Sequence, residues 1–248
     1  MNTTGPRLQL SRQRDVTALF RDSLVTYWSH LGTFLALAAT IVVPVELVVR
    51  GIGQEQFTAG FDAKLTVAET AIGGLVTFLV ITPLITAICI HALRNVADGG
   101  KPAAREALMS GFEAFTPLFL ALALAAAGIA LGLLALVVPG VYLFVRWFFV
   151  PQAVVLEGDR GPAALTRSAA LTQGFWWRTL GLIVLAQLAM LIPTLVLGAP
   201  FTSIAESSDR AVWALAGTVV TEIVTAPFIA IYATLLWFDL RARRAEVA

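Results

Sequence analysis

The chain has 248 residues, of which 58% are hydrophobic and only 13% charged, with a net charge of +1. An ordinary soluble domain carries about 25% charged residues, so 33 charges on a chain this apolar (mean hydropathy +0.83) are too few to cover a water-exposed surface. The balance excludes a soluble enzyme, a nucleic-acid-binding protein and a disordered chain, and it points to an all-α polytopic membrane protein.

Six apolar runs follow in chain order: Thr33–Val49, Ile72–Leu93, Pro117–Val138, Val141–Leu156, Thr179–Leu197 and Val212–Phe238. Each approaches the roughly 20 residues that cross ~30 Å of hydrocarbon. The fourth is short and is parted from the third by Pro139-Gly140, a pair that suits a tight turn. The sixth is long enough to require tilt. Alternation with period two is absent, which argues against a membrane β-barrel. The first run begins far from Met1 and is not followed by a small-residue cleavage site, so it reads as a span rather than a signal peptide.

Six spans place both ends on one side. Thirteen basic residues fall on the tails and even-numbered connections: Arg7, Arg12, Arg14, Arg21, Arg94, Lys101, Arg105, Arg160, Arg167, Arg178, Arg241, Arg243 and Arg244. Only Arg50, Lys64 and Arg210 fall opposite. The positive-inside rule then sets both termini in the cytoplasm. Use of Arg over Lys suggests a GC-rich bacterial genome, hence a bacterial plasma membrane. Trp176, Trp177, Trp213 and Trp237 lie at run boundaries, where an aromatic belt is expected. Residues 1–11 read as a disordered cytoplasmic tail, 12–240 as one membrane domain, and 241–248 as a basic cytoplasmic tail.

A unit recurs three times. "DVTALFRDSLVTYWSHLGTFLAL" from Asp15, "AAREALMSGFEAFTPLFLALAL" from Ala103 and "PAALTRSAALTQGFWWRTLGLIVL" from Pro162 each join a short helix-compatible stretch with basic residues to an apolar span. Such stretches suit amphipathic helices lying in the membrane interface and favouring anionic lipid. The expected fold is three repeats of an interfacial helix plus a two-helix hairpin, related about an axis along the membrane normal.

The segment "PGVYLFVRWFFVPQAVVLEGDRGPAALTRSAALTQGFWWRTLG" from Pro139, with "WFDLRARR" from Trp237, resembles the membrane domain that precedes the catalytic barrel in some bacterial glycerophosphodiester phosphodiesterases. The same domain is also found as a stand-alone membrane protein. The resemblance runs from about Arg12 to Arg244. It implies a bacterial membrane domain whose enzymes keep their His, Glu and Asp metal-site residues in a separate barrel of about 250 residues. That barrel has no counterpart in these 248 residues, so no enzymatic activity is expected.

Chemistry-bearing residues are few. His30 and His91 stand alone, without Cys or carboxylate neighbours at ligand spacing, so no metal or cofactor is expected. Cys89 is the single cysteine and forms no intrachain disulfide. No phosphate-binding glycine loop or nucleophile motif occurs, so no catalytic residue is assigned. Charges within spans cost ~2.5–3.5 kcal/mol on insertion scales and call for partners. Arg146 and Glu222 lie at similar computed depths, which predicts an Arg146–Glu222 pair with Gln187 as a polar neighbour. Glu46 and Arg50 suit a local i, i+4 pair. Arg146, Glu222, Gln187 and Glu46 are thus the candidate intramembrane polar site. The expected function is lipid or amphiphile handling, or small-solute transport; the alternative is a scaffold or partner subunit for an enzyme or transporter at the cytoplasmic face. Membrane lipid, anionic at that face, is the expected partner, and a protein partner fits the second reading.

Overall fold

The computed structural model describes residues 10, 12–51, 73–97 and 104–247. Among them there are no strands, and nine helices are formed. They are α1 (Val16–Ser29), α2 (Leu31–Gly51), α3 (Gly73–Ala97), α4 (Ala104–Glu113), α5 (Phe115–Ala135), α6 (Val137–Glu157), α7 (Pro162–Thr172), α8 (Trp176–Ser208) and α9 (Ala211–Val247). Six of them (α2, α3, α5, α6, α8 and α9) are long and apolar enough to cross a membrane. This is the architecture of a multi-pass membrane protein. The order short, long, long occurs three times. The expected tail at 1–11 lies almost wholly outside the described residues, as does the connection carrying Lys64.

Helix α9 is the centre of the bundle, packed by α1, α2, α3 and α8. Its inner half carries the most deeply buried large side chains, Tyr232, Leu236 and Trp237. Helix α1 runs antiparallel along it. Arg14 meets Asp239, Phe20 packs on Tyr232 with centroids 4.9 Å apart, and the Tyr27 hydroxyl donates to the Val224 carbonyl at 2.8 Å. Equal advance along both helices means lengthwise packing, so Leu19 and Tyr27 are buried in protein. The opposite side of α1 leaves Val25 and Trp28 exposed. Helix α4 rests on α3, where the absent side chain of Gly111 makes room for Ile88.

Four sequence expectations change. The turn between the third and fourth spans falls at Leu136, in extended backbone, and not at Pro139-Gly140. Pro139 sits in the first turn of α6, where a missing N–H costs little. Gly140 lets α5 and α6 touch: a Cβ there would lie 2.4 Å from the Leu133 side chain. Second, the fifth span does not stop at Leu197. Helix α8 continues for 33 residues through Pro193 and Pro200 and turns only at Asp209, in the left-handed region at φ 50°. Third, residues 241–247 are not a free tail but the last turns of α9. Trp237 is also no belt residue: it is fully buried against Phe149 at 5.9 Å. Trp177 and Trp213 are exposed.

Two helices widen locally. Thr77–Ile81 in α3 and Ala153–Glu157 in α6 are π-helical. Each lies within two residues of a helix-internal proline, Pro83 or Pro151, whose ring disturbs the normal ladder. Near Pro151 the break in α6 is repaired from outside. The Ser168 hydroxyl on α7 accepts from the Phe149 N–H at 3.1 Å and donates to the Arg146 carbonyl at 2.8 Å. Buried backbone groups in an apolar bundle need such partners.

Candidate functional site

The charged residues gather at one end of the bundle, at the N-terminal end of α1, helix α7, the start of α8 and the C-terminal end of α9. Asp239 on α9 is fully buried there. It accepts from the Arg14 backbone N–H at 2.6 Å, from Arg178 Nη2 at 3.2 Å and from Arg243 Nε at 3.0 Å. Arg178 and Arg243 each donate also to the Arg14 carbonyl, at 2.9 and 2.8 Å. The Arg14 guanidinium is itself buried and bonds Asp22 at 3.0 Å. A second cluster joins Glu157 to Arg167 and Arg241, while Arg244 donates to the Leu171 and Gln173 carbonyls. Arg241, Arg243 and Arg244 therefore fasten α9 to α6, to the segment before α1 and to the end of α7, and Arg178 ties in α8 through Asp239. This end is a lock of interlinked polar contacts, in which Arg178 Nε is buried without a hydrogen-bond partner among the described residues.

The predicted polar site is not assembled. Arg146 turns to its own helix: Nη1 donates to the Tyr142 hydroxyl at 3.1 Å, and the guanidinium lies 5.4 Å from the Tyr142 ring. Tyr142 in turn stacks on Trp176 and accepts from its indole N–H, which fixes Arg146 near the start of α8. Glu222 accepts from the Thr77 hydroxyl of α3 at 3.4 Å. Among the described residues Arg146 and Glu222 form no ion pair. The reason is register. Phe149 packs on Trp237; Arg146 precedes Phe149 by three residues, and Glu222 precedes Trp237 by fifteen. At 1.5 Å per residue they differ in level by about 18 Å. Depths counted from the turns failed because the α8–α9 turn projects further than the α5–α6 turn. Glu46 is buried on α2, and the side chain of Arg50 lies outside the described residues. Gln187 is exposed on α8, on the wall of a cavity.

That cavity is the feature the sequence did not disclose. It measures about 330 Å³ and is bounded by α3, α5, α6, α8 and α9, within the ~300–1,000 Å³ usual for small-molecule sites. Phe78, Leu122, Phe144, Trp147 and Ile229 make its walls apolar, and among the described residues no ionisable side chain except the Tyr232 phenol lines it. Tyr232 lends its hydroxyl to the Leu182 carbonyl at 3.0 Å. Thr82, Thr86, Gln152 and Gln187 supply the polar groups. Gln152 is 1% exposed, and its Oε1 has no hydrogen-bond partner among the described residues. Gln152 immediately precedes the π-helical turn of α6, and Thr82 immediately follows that of α3. π-Helical turns are frequent at functional sites. A sequence signal existed, a lone amide beside a proline in an apolar run, but residue type alone does not tell a cavity wall from a packed interface.

A second, more open groove of about 400 Å³ lies between α8 and α9, lined by Thr194, Thr202, Thr218, Thr221, Thr225 and Glu222. Thr202, Thr218 and Thr225 donate to carbonyls four residues earlier in their own helices. Among the described residues no group of His, Cys, Asp and Glu is arranged to hold a metal ion. No known family model, curated protein or solved structure matches the chain significantly.

Proposed function

We propose that this protein binds an amphiphile within its helical bundle, in lipid handling or transport, and is not an enzyme. The observation that carries the reading is the 330 Å³ cavity among five spanning helices, apolar throughout except for a few amides and hydroxyls. A polar solute would forfeit its hydration there with few compensating hydrogen bonds, so an acyl or alkyl chain is the better occupant. Gln187, which lines the cavity, and its neighbours Val184 and Leu188 are exposed on α8, which supports entry from the acyl layer. The likeness of the Pro139–Gly181 segment to the membrane domain of glycerophosphodiester phosphodiesterases agrees with work on lipid-derived molecules in a bacterial plasma membrane. In the same reading both termini are cytoplasmic and the arginine-rich end meets anionic lipid.

The test is purification from native membranes followed by mass spectrometry of co-purifying small molecules. Wild type is expected to retain an amphiphile that Ala186→Phe, which fills the cavity, does not. Equal retention by both proteins would reject the cavity as the binding place.

The scaffold reading draws on a different observation. Val25, Trp28, Met109 and Phe112 are exposed on the short helices α1 and α4, a surface that a protein partner could cover. Co-purification of one stoichiometric protein, lost in Trp28→Glu with Phe112→Glu, would favour it.

A further inference from the structure

The chemistry of the cavity limits what its occupant can be. Gln152 makes no side-chain hydrogen bond among the described residues, although the residue is 1% exposed. An amide offers an acceptor oxygen and two N–H donors. Leaving such a group buried and unpaired costs about 1–3 kcal/mol, so a residue of this kind in a cavity wall is explained by a ligand that completes it. The occupant therefore carries a group able both to donate and to accept, such as a hydroxyl or a carboxamide. It carries no charge at that point. Among the described residues the lining holds no Asp, Glu, Lys, Arg or His to balance an ion, and a charge in low-dielectric surroundings is costly without a partner. Thr86, also buried, lines the same cavity from α3. The rest of the wall accommodates only apolar chain.

The geometry points to Gln152 as the selectivity residue of the cavity, which takes an uncharged amphiphile with a hydroxyl or carboxamide head and turns away its phosphorylated counterpart. This inference rests on the amphiphile-binding reading above and adds the head-group chemistry and the residue that reads it. Gln152 touches the ligand directly and is a binding residue, not a structural one. Its two neighbours explain why it is available. It lies between Pro151 and the π-helical turn that begins at Ala153, while Ser168 takes over the backbone repair nearby.

The experiment uses the full-length protein in liposomes and three diazirine-bearing probes of equal chain length: dodecanol, methyl dodecyl ether and dodecyl phosphate. Cross-links are mapped by peptide mass spectrometry to the cavity-lining parts of α6 and α9. Dodecanol is expected to label these segments about ten times more efficiently than the ether or the phosphate. Gln152→Leu is expected to label equally with dodecanol and the ether, since it loses the hydroxyl preference and keeps the apolar cavity. If wild type labels equally with all three probes, or if Gln152→Leu keeps the preference for the alcohol, the selectivity assignment fails while amphiphile binding stands. If no probe labels the cavity of wild type, amphiphile binding itself fails. A wild-type probe series without preference overturns the proposal even where the variant does not fold.

Discussion

Two regions of the molecule treat polar groups in opposite ways. At the arginine-rich end, Asp239 is fully buried yet receives three donors, and the Arg14 carbonyl beside it receives two more. In the cavity, Gln152 of α6 is as deeply buried and its Oε1 receives none among the described residues. Both situations are costly to create in an apolar bundle. The first is compensated inside the chain and serves the architecture. The second is not, and a group of that kind is a candidate for recognition. Burial of a polar residue is thus a poor guide to function by itself; whether its bonds are already made is the better one.

Breaking the lock should have the largest effect. Asp239→Ala leaves the Arg178 and Arg243 guanidiniums and the Arg14 backbone N–H without their shared acceptor. Removing one partner of a buried ion pair costs about 3–5 kcal/mol, so a large drop in melting temperature in detergent, or loss of folded protein, is expected. A shift below 2 °C would show that the three arginines are satisfied without it. Next comes Gly140→Leu, which overpacks the α5–α6 contact at Leu133; about 1–3 kcal/mol is expected, read by the same melts. Tyr27→Phe removes the bond to the Val224 carbonyl near Pro227 and should cost about 0.5–1.5 kcal/mol. The smallest effect sharpens the contrast. Gln152→Leu deletes an unpaired amide and should leave stability within about 1 kcal/mol of wild type, or raise it, because replacing an unsatisfied polar group by an apolar one of similar shape is near neutral. A loss above 3 kcal/mol would mean that Gln152 belongs to the architecture after all.

Much of the fold was legible because hydropathy integrates over a whole span. All six long helices lie where apolar runs predicted them, and the short helices precede the odd spans as the basic, aromatic stretches suggested. Ends were read less well. Pro200 lies inside α8 because membrane helices re-satisfy the carbonyls that proline frees, and Gly140 serves packing rather than turning. Side-chain partners were hardest. Hydropathy cannot tell lipid from protein, so Trp237, at a run boundary, read as a belt residue but is core. Arg146 and Glu222 were matched by counting from turns that project to unequal distances. Asp239, two to five residues from Arg241 to Arg244 in sequence, offered a local clue; its long-range partners Arg14 and Arg178 are brought to it only by the antiparallel run of α1 and the start of α8.

The length of α8 and α9 carries one more consequence. Thirty-three residues extend about 50 Å, and with the N-terminal end of α8 at the arginine-rich end this exceeds a ~30 Å hydrocarbon layer even at the 40° limit of usual tilt. The α8–α9 turn around Asp209, with Glu206, Ser207, Ser208 and Arg210 beside it, must therefore stand clear of the acyl chains as a small water-exposed knob. A short epitope inserted after Ser208 would be reachable by antibody on intact cells if the termini are cytoplasmic, and only after permeabilisation if they are not, so a single surface stain reports which way the whole bundle is threaded.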